Sequence, residues 1–160
     1  MKRIVYITET SLPSSSANII NSLKFCEALS QFRETIFLLP ENKISLKKIF
    51  YKYNLKRKKI IFKSITNGKI SSKIRKLIFL LKLLFYLKNE KSSEDLIISR
   101  SILSSILLAF SNIKNTLEIH HNLTGLSKIL FKILMMSSFK KNISFILINK
   151  NLVTDRKSVV

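Results

Sequence analysis

The chain is poor in residues that break a backbone into short pieces: its 160 residues include only two glycines and two prolines. All-β sandwiches turn tightly every ~8–12 residues and draw on both types, so that class is disfavoured. A single cysteine, Cys26, excludes an internal disulfide and fits a reducing compartment. Acidic residues are also scarce, 9 against 29 lysines and arginines, for a formal net charge of +20. Long apolar runs are missing as well. The longest, Leu77 to Leu87, is interrupted by Lys82 and falls well short of the roughly 20 residues a spanning helix needs. The apolar run after Met1-Lys2-Arg3 stops at Thr8-Glu9, too short for a secretory leader. The expected location is therefore the cytoplasm, or the inner face of the cell membrane as a peripheral protein.

The chain does hold enough apolar mass to fold. Hydrophobic residues make up 46% of it, and its length suits one domain with a proper core. The positive charge has two readings. It attracts anionic lipid, nucleic acid or phosphorylated substrates. Alternatively, the excess of lysine over arginine, with abundant isoleucine and asparagine, is what an AT-rich genome produces.

Short β-rich runs alternate with longer helical ones. Strands are predicted over 3–7, 35–39, 59–62, 95–98, 116–119 and 144–148, and helices over 17–32, 45–53, 73–88, 101–110 and 126–136. In the first helix Ile19, Leu23, Phe25, Cys26, Leu29 and Phe32 form an apolar face, opposite Lys24, Glu27 and Gln31. Pro40 stops the second strand, and Asn67-Gly68 marks a turn after the third. Alternation of this kind predicts a Rossmann-like, doubly wound α/β fold: a mainly parallel sheet with helices on both faces and ligands at the carboxyl ends of its strands. The helix over 73–88 is apolar nearly all round. It reads as a core helix or as one lying at a membrane interface, the latter helped by Lys56-Arg57-Lys58-Lys59.

The loop after the first strand has no G-x-G-x-x-G, and neither a P-loop nor a G-x-S-x-G occurs in the chain. This argues against nicotinamide, flavin, P-loop and serine-hydrolase chemistry, and no carboxylate pair suggests a glycosidase. Ser15 or Ser16 is placed to cap the first helix, and the same helix start suits a phosphate or sugar hydroxyl. Arg100 follows the fourth strand; its guanidinium either grips a phosphate or carboxylate, or pairs with a nearby acid, against the dipole of the helix it starts. His120 and His121 end the fifth strand and point to opposite faces, so they do not share a metal. His120 is the better donor to a sugar or phosphate oxygen. Glu118 is expected to pair with a lysine. No cofactor and no metal are expected.

Several segments taken together resemble the amino-terminal domain of family-4 glycosyltransferases, which have the two-domain GT-B fold. They are Ile4-Val5-Tyr6-Ile7 followed by Leu12-Pro13-Ser14-Ser15-Ser16-Ala17-Asn18 and the helix from Ser22 to Leu29; Ile98-Ser99-Arg100-Ser101; Leu117-Glu118-Ile119-His120 with Gly125 behind it; and the strand from Phe145 to Ile148 followed by Asn149 to Leu152. Their order and spacing carry the likeness. The resemblance implies transfer of a sugar from a nucleotide-sugar donor to a lipid-linked or polysaccharide acceptor. It sets His120 beside the transferred sugar as the catalytic residue, and Ser15, Ser16, Asn18, Arg100 and His121 along the acceptor side of the cleft. In that family a second domain holds the donor nucleotide. The expectation is thus an amino-terminal domain over 1–152 and a tail over 153–160, a fragment inactive by itself. The rival reading is a non-enzymatic basic domain that binds nucleic acid or an anionic membrane. Its basic residues are scattered, with no aromatic-interleaved stripe, which speaks against nucleic acid.

Overall fold

The computed structural model describes residues 3–56, 59–66, 72–92, 94–120 and 124–147. Its elements run β1 (Ile4–Ile7), α1 (Ala17–Leu29), β2 (Thr35–Leu39), α2 (Leu46–Lys52), β3 (Ile60–Ser64), α3 (Ser72–Glu90), β4 (Leu96–Ser99), α4 (Ile102–Phe110), β5 (Asn115–Ile119), α5 (Gly125–Met136), a 3-10 turn (Ser138–Asn142) and β6 (Ile143–Leu147). All the strands and helices expected from the sequence are present; the 3-10 turn was not foreseen. The expected Asn67-Gly68 turn, Arg57 and Lys58 of the basic cluster, His121, and everything from Ile148 through the 153–160 tail lie outside the described residues.

The six strands form one parallel sheet in the order β3-β2-β1-β4-β5-β6, a Rossmann-like α/β fold. β1 and β2 are buried along their whole length, as expected of strands covered on both sides. By its internal packing the chain divides into two units, 1–96 and 97–160.

In the first unit the parallel register sets Tyr6 beside Phe37 and Phe37 beside Phe62. The rings of Tyr6 and Phe37 stack at 5.7 Å, and Phe25 of α1 meets Tyr6 edge-on at 5.9 Å. Phe62 packs on Phe37 and meets Phe50 of α2. One aromatic row thus ties three strands to two helices. Such pairs add about 0.5–1.5 kcal/mol each beyond their burial. Ile19, Leu23 and Cys26 of α1 are buried as its periodicity requires, but Phe32 is 74% exposed. This corrects the expected apolar face. α1 ends at Leu29, where the Ser30 hydroxyl donates to the Glu27 carbonyl at 2.7 Å, leaving Phe32 outside the helix.

β1 and the start of β4 are joined by the Leu96 amide, which donates to the Arg3 carbonyl at 2.9 Å. Beside that bond Asp95, its side chain fully buried, accepts from Arg3 Nη2 at 2.7 Å, from Arg3 Nε and the Arg3 amide at 3.2 Å each, and from the Ser92 amide at 2.9 Å. Burial alone would raise the Asp95 pKa, but these hydrogen bonds outweigh it and hold the carboxyl below its ordinary 3.8.

In the second unit Ile106, Ala109, Leu117, Ile119, Phe131, Leu134 and Ile143 form one buried cluster from α4, β5, α5 and β6. The 3-10 turn closes it. There Asn142 Nδ2 donates to the Ala109 carbonyl at 3.0 Å and to Asn112 Oδ1 at 3.2 Å, and Phe139 meets Phe110 at 5.2 Å.

Candidate functional site

The loop after β1 is held by its neighbours before any ligand is considered. Leu12 is buried and bridges to Asn42 in parallel fashion. Its amide donates to the Glu41 carbonyl, and its carbonyl accepts from the Lys43 amide, each at 2.9 Å. Farther along, the Tyr53 hydroxyl accepts from the Ser14 amide at 2.9 Å and donates to the Ser14 carbonyl at 2.7 Å. These bonds fix the backbone where it enters α1. Ser16 is the helix cap: its hydroxyl accepts from the Ile19 amide at 3.4 Å. The sequence left Ser15 and Ser16 as equal candidates for that role; Ser16 performs it. Ser15 and Asn18 are exposed. Beneath them the Tyr6 hydroxyl donates to Ser22 Oγ at 3.1 Å, and Ser22 in turn donates to the Asn18 carbonyl at 2.9 Å. A core tyrosine thus supports the first turn of α1, a link with no sequence signal because the two residues lie 16 positions apart.

In the second unit, Arg100 and His120 follow the carboxyl ends of β4 and β5. These strands pair in parallel with Ser99 beside Leu117, so one further step of the register sets Arg100 level with Glu118. Arg100 is half-buried. It precedes the cap of α4 rather than standing in the first turn: Ser101 is the cap, its hydroxyl accepting from the Ser104 amide at 3.1 Å. Arg100 thus stands one residue before the helix cap, which corrects its expected place in the first turn. The Ser99 hydroxyl donates to the Ser101 carbonyl at 3.0 Å and accepts from the Ser101 amide at 3.2 Å, which tightens the bend around Arg100.

Glu118, expected to pair with a lysine, has His120 as a partner. Its carboxylate meets His120 Nε2 in a direct hydrogen bond, with the glutamate side chain 3% exposed and the imidazole 21% exposed. The physical reason is the strand period: residues two apart share a face, so Glu118 and the ring lie side by side. The E-x-H spacing in the sequence carries the signal for this contact. A buried carboxylate bound to one imidazole nitrogen fixes the ring's orientation and its tautomer. With Nε2 directed at Glu118, Nδ1 is the ring nitrogen that this contact does not engage. Among the described residues no group of three metal-ligating side chains occurs.

The structure therefore sets Arg100 and His120 at the ends of neighbouring strands in one unit, and Ser15, Ser16 and Asn18 at a helix start in the other. His121, also expected at the site, lies outside the described residues. No protein-family model matches the chain, and no curated protein is similar to it at a significant level.

Proposed function

We propose that this chain is the acceptor-side domain of a two-domain sugar transferase, with the donor nucleotide held by a second α/β domain. The observation that carries the reading is the buried Glu118 carboxylate bound to the His120 ring at the carboxyl end of β5. In the parallel fold this is the end of the sheet where ligands bind. An imidazole oriented by a carboxylate hydrogen-bonds a sugar hydroxyl, or takes its proton, in a defined direction. Arg100, one strand over, offers a forked cation suited to a phosphate. The resemblance of the β1 loop, the strand-then-arginine step and the E-x-H strand end to family-4 glycosyltransferases supports the same reading. Catalysis would rest on positioning and on electrostatic support of the departing diphosphate. His120 is the catalytic residue of the proposal, and Arg100 contacts the acceptor. The substrate class is a lipid-linked or polysaccharide acceptor.

The test is a titration of isotope-labelled chain with a short, water-soluble prenyl diphosphate monosaccharide, read by NMR. The His120 ring signals shift saturably, and Arg100→Ala or Glu118→Gln weakens binding by about tenfold, the order expected on losing one charge-assisted contact. A response confined to surfaces away from Arg100 and His120 would remove the basis for the proposal. So would tight duplex DNA binding with a steep salt dependence and no response to the sugar compound. The proposed division of labour also predicts no sugar transfer by the 160-residue chain alone; robust turnover would contradict it.

A further inference from the structure

α3 has two apolar faces. Phe79, Leu83 and Leu87, spaced four residues apart, have no exposed surface and form its inner face. On the opposite side Ile74, Leu77, Leu81 and Phe85 are 55%, 59%, 58% and 72% exposed. Their spacings of three and four residues keep them in one stripe. An inner face satisfied by the core leaves no folding reason for a second stripe of four large side chains. Lys82 and Lys88 are exposed beside it. Next to Phe85 lies an open recess of ≈ 310 Å³ bounded by Lys63, Lys82, Tyr86, Asn89 and Glu90. In the recess Lys63 sits 4.1 Å above the Tyr86 ring and pairs with Glu90 at 2.8 Å.

We infer that the outer face of α3 docks on an anionic lipid surface, the stripe entering the acyl boundary and the lysines meeting the headgroups. Charge decides among the occupants of such a face. A second copy of this chain would bring Lys82 and Lys88 against their own kind, on a molecule of formal charge +20. Nucleic acid would meet the lysines but leave the apolar stripe in water. A leaflet of anionic phospholipid satisfies both parts. With its inner face held by the core, only the outer stripe can enter the interface, and among the described residues no helix is long and apolar enough to cross a membrane. The recess beside Phe85 has room for a headgroup phosphate, with Lys82 and Asn89 as its donors.

The chain has no tryptophan, so Phe85→Trp supplies a single fluorescent reporter at the centre of the proposed contact. The full chain is mixed with vesicles of phosphatidylglycerol and phosphatidylcholine, and with vesicles of phosphatidylcholine alone. The expected result is a blue shift and quenching by brominated lipid with the anionic vesicles only. Leu81→Ser combined with Phe85→Ser weakens sedimentation with those vesicles about tenfold or more, because two large side chains no longer leave water. Lys82→Glu with Lys88→Glu weakens it by about tenfold or more through charge alone. All four side chains are exposed, so melting curves of these variants stay close to that of the parent. The inference is overturned if the double serine variant binds as tightly as the parent, or if the Phe85→Trp chain sediments while its indole fluorescence stays unmoved. It is equally overturned if the shift appears without vesicles and grows with protein concentration, which marks self-association, or if duplex DNA moves the signal more than the vesicles do.

Discussion

Two asparagines do here what glycine does in most chains. Asn54 and Asn112 have φ of 47° and 57° and follow the caps of α2 and α4. At each, the next amide reaches back to the helix, Leu55 to the Phe50 carbonyl and Ile113 to the Leu108 carbonyl, both at 2.9 Å. This is the Schellman closure, and asparagine tolerates its left-handed backbone better than other side chains do. A sequence with two glycines can therefore still end its helices cleanly. Asn54→Gly is expected to leave stability within about 0.5 kcal/mol of the parent, whereas Asn54→Val lowers it by about 1–2 kcal/mol; urea denaturation distinguishes the two. The second prediction at this scale concerns Asp95. Its folded pKa lies below the ordinary 3.8, so the charged form favours folding. That stability is fully present above the unfolded value and is lost as pH falls through the lowered folded value. The urea midpoint should drop below about pH 4, with Asp95→Asn showing a shallower acid fall from a lower plateau. An acid limb as steep in Asp95→Asn as in the parent would mean that other carboxylates dominate.

At the scale of elements, α3 allows the sharpest contrast. Phe79→Ala opens a cavity in the inner face and should cost about 3–5 kcal/mol; Leu81→Ala, only two residues along, should change stability by less than about 0.5 kcal/mol. Equal losses in a thermal melt would mean that the outer stripe also packs within the fold. The same helix shows what a sequence can and cannot disclose. Periodicity located all the helices and strands to within a few residues, because strands such as Thr35–Leu39 and helices such as Ile102–Phe110 carry strong local patterns. In α3 both faces are apolar, so period alone could not say which one turns inward; that depends on contacts far away in the chain. The site divides similarly. The places of Arg100 and His120, just after apolar strands, were legible in the sequence. The Glu118 contact followed from the strand period, while the Tyr53 clamp on Ser14 joins residues 39 apart and leaves no local trace. The 3-10 turn Ser138–Asn142 was missed because Asn142 is fixed by the tertiary partners Ala109 and Asn112 rather than by propensity.

For the whole molecule, net charge is the dominant electrostatic fact. With a formal +20 on 160 residues, self-repulsion opposes the compact state. Raising salt from about 0.01 M to about 0.1 M shortens the screening length from roughly 30 Å to roughly 10 Å and should raise the melting temperature, as measured by circular dichroism. A melting temperature that falls with added salt would show that attractive ion pairs outweigh the repulsion. The seam between β1 and β4 adds a consequence in time. Arg3 and Asp95 stand 92 positions apart, so the first strand leaves the ribosome long before the residues that complete its second edge. At ordinary translation rates that interval lasts about 5–20 s. Throughout it, the nascent strand offers unpaired amides and carbonyls to whatever is nearby, and a holding chaperone is the cell's remedy for such an interval.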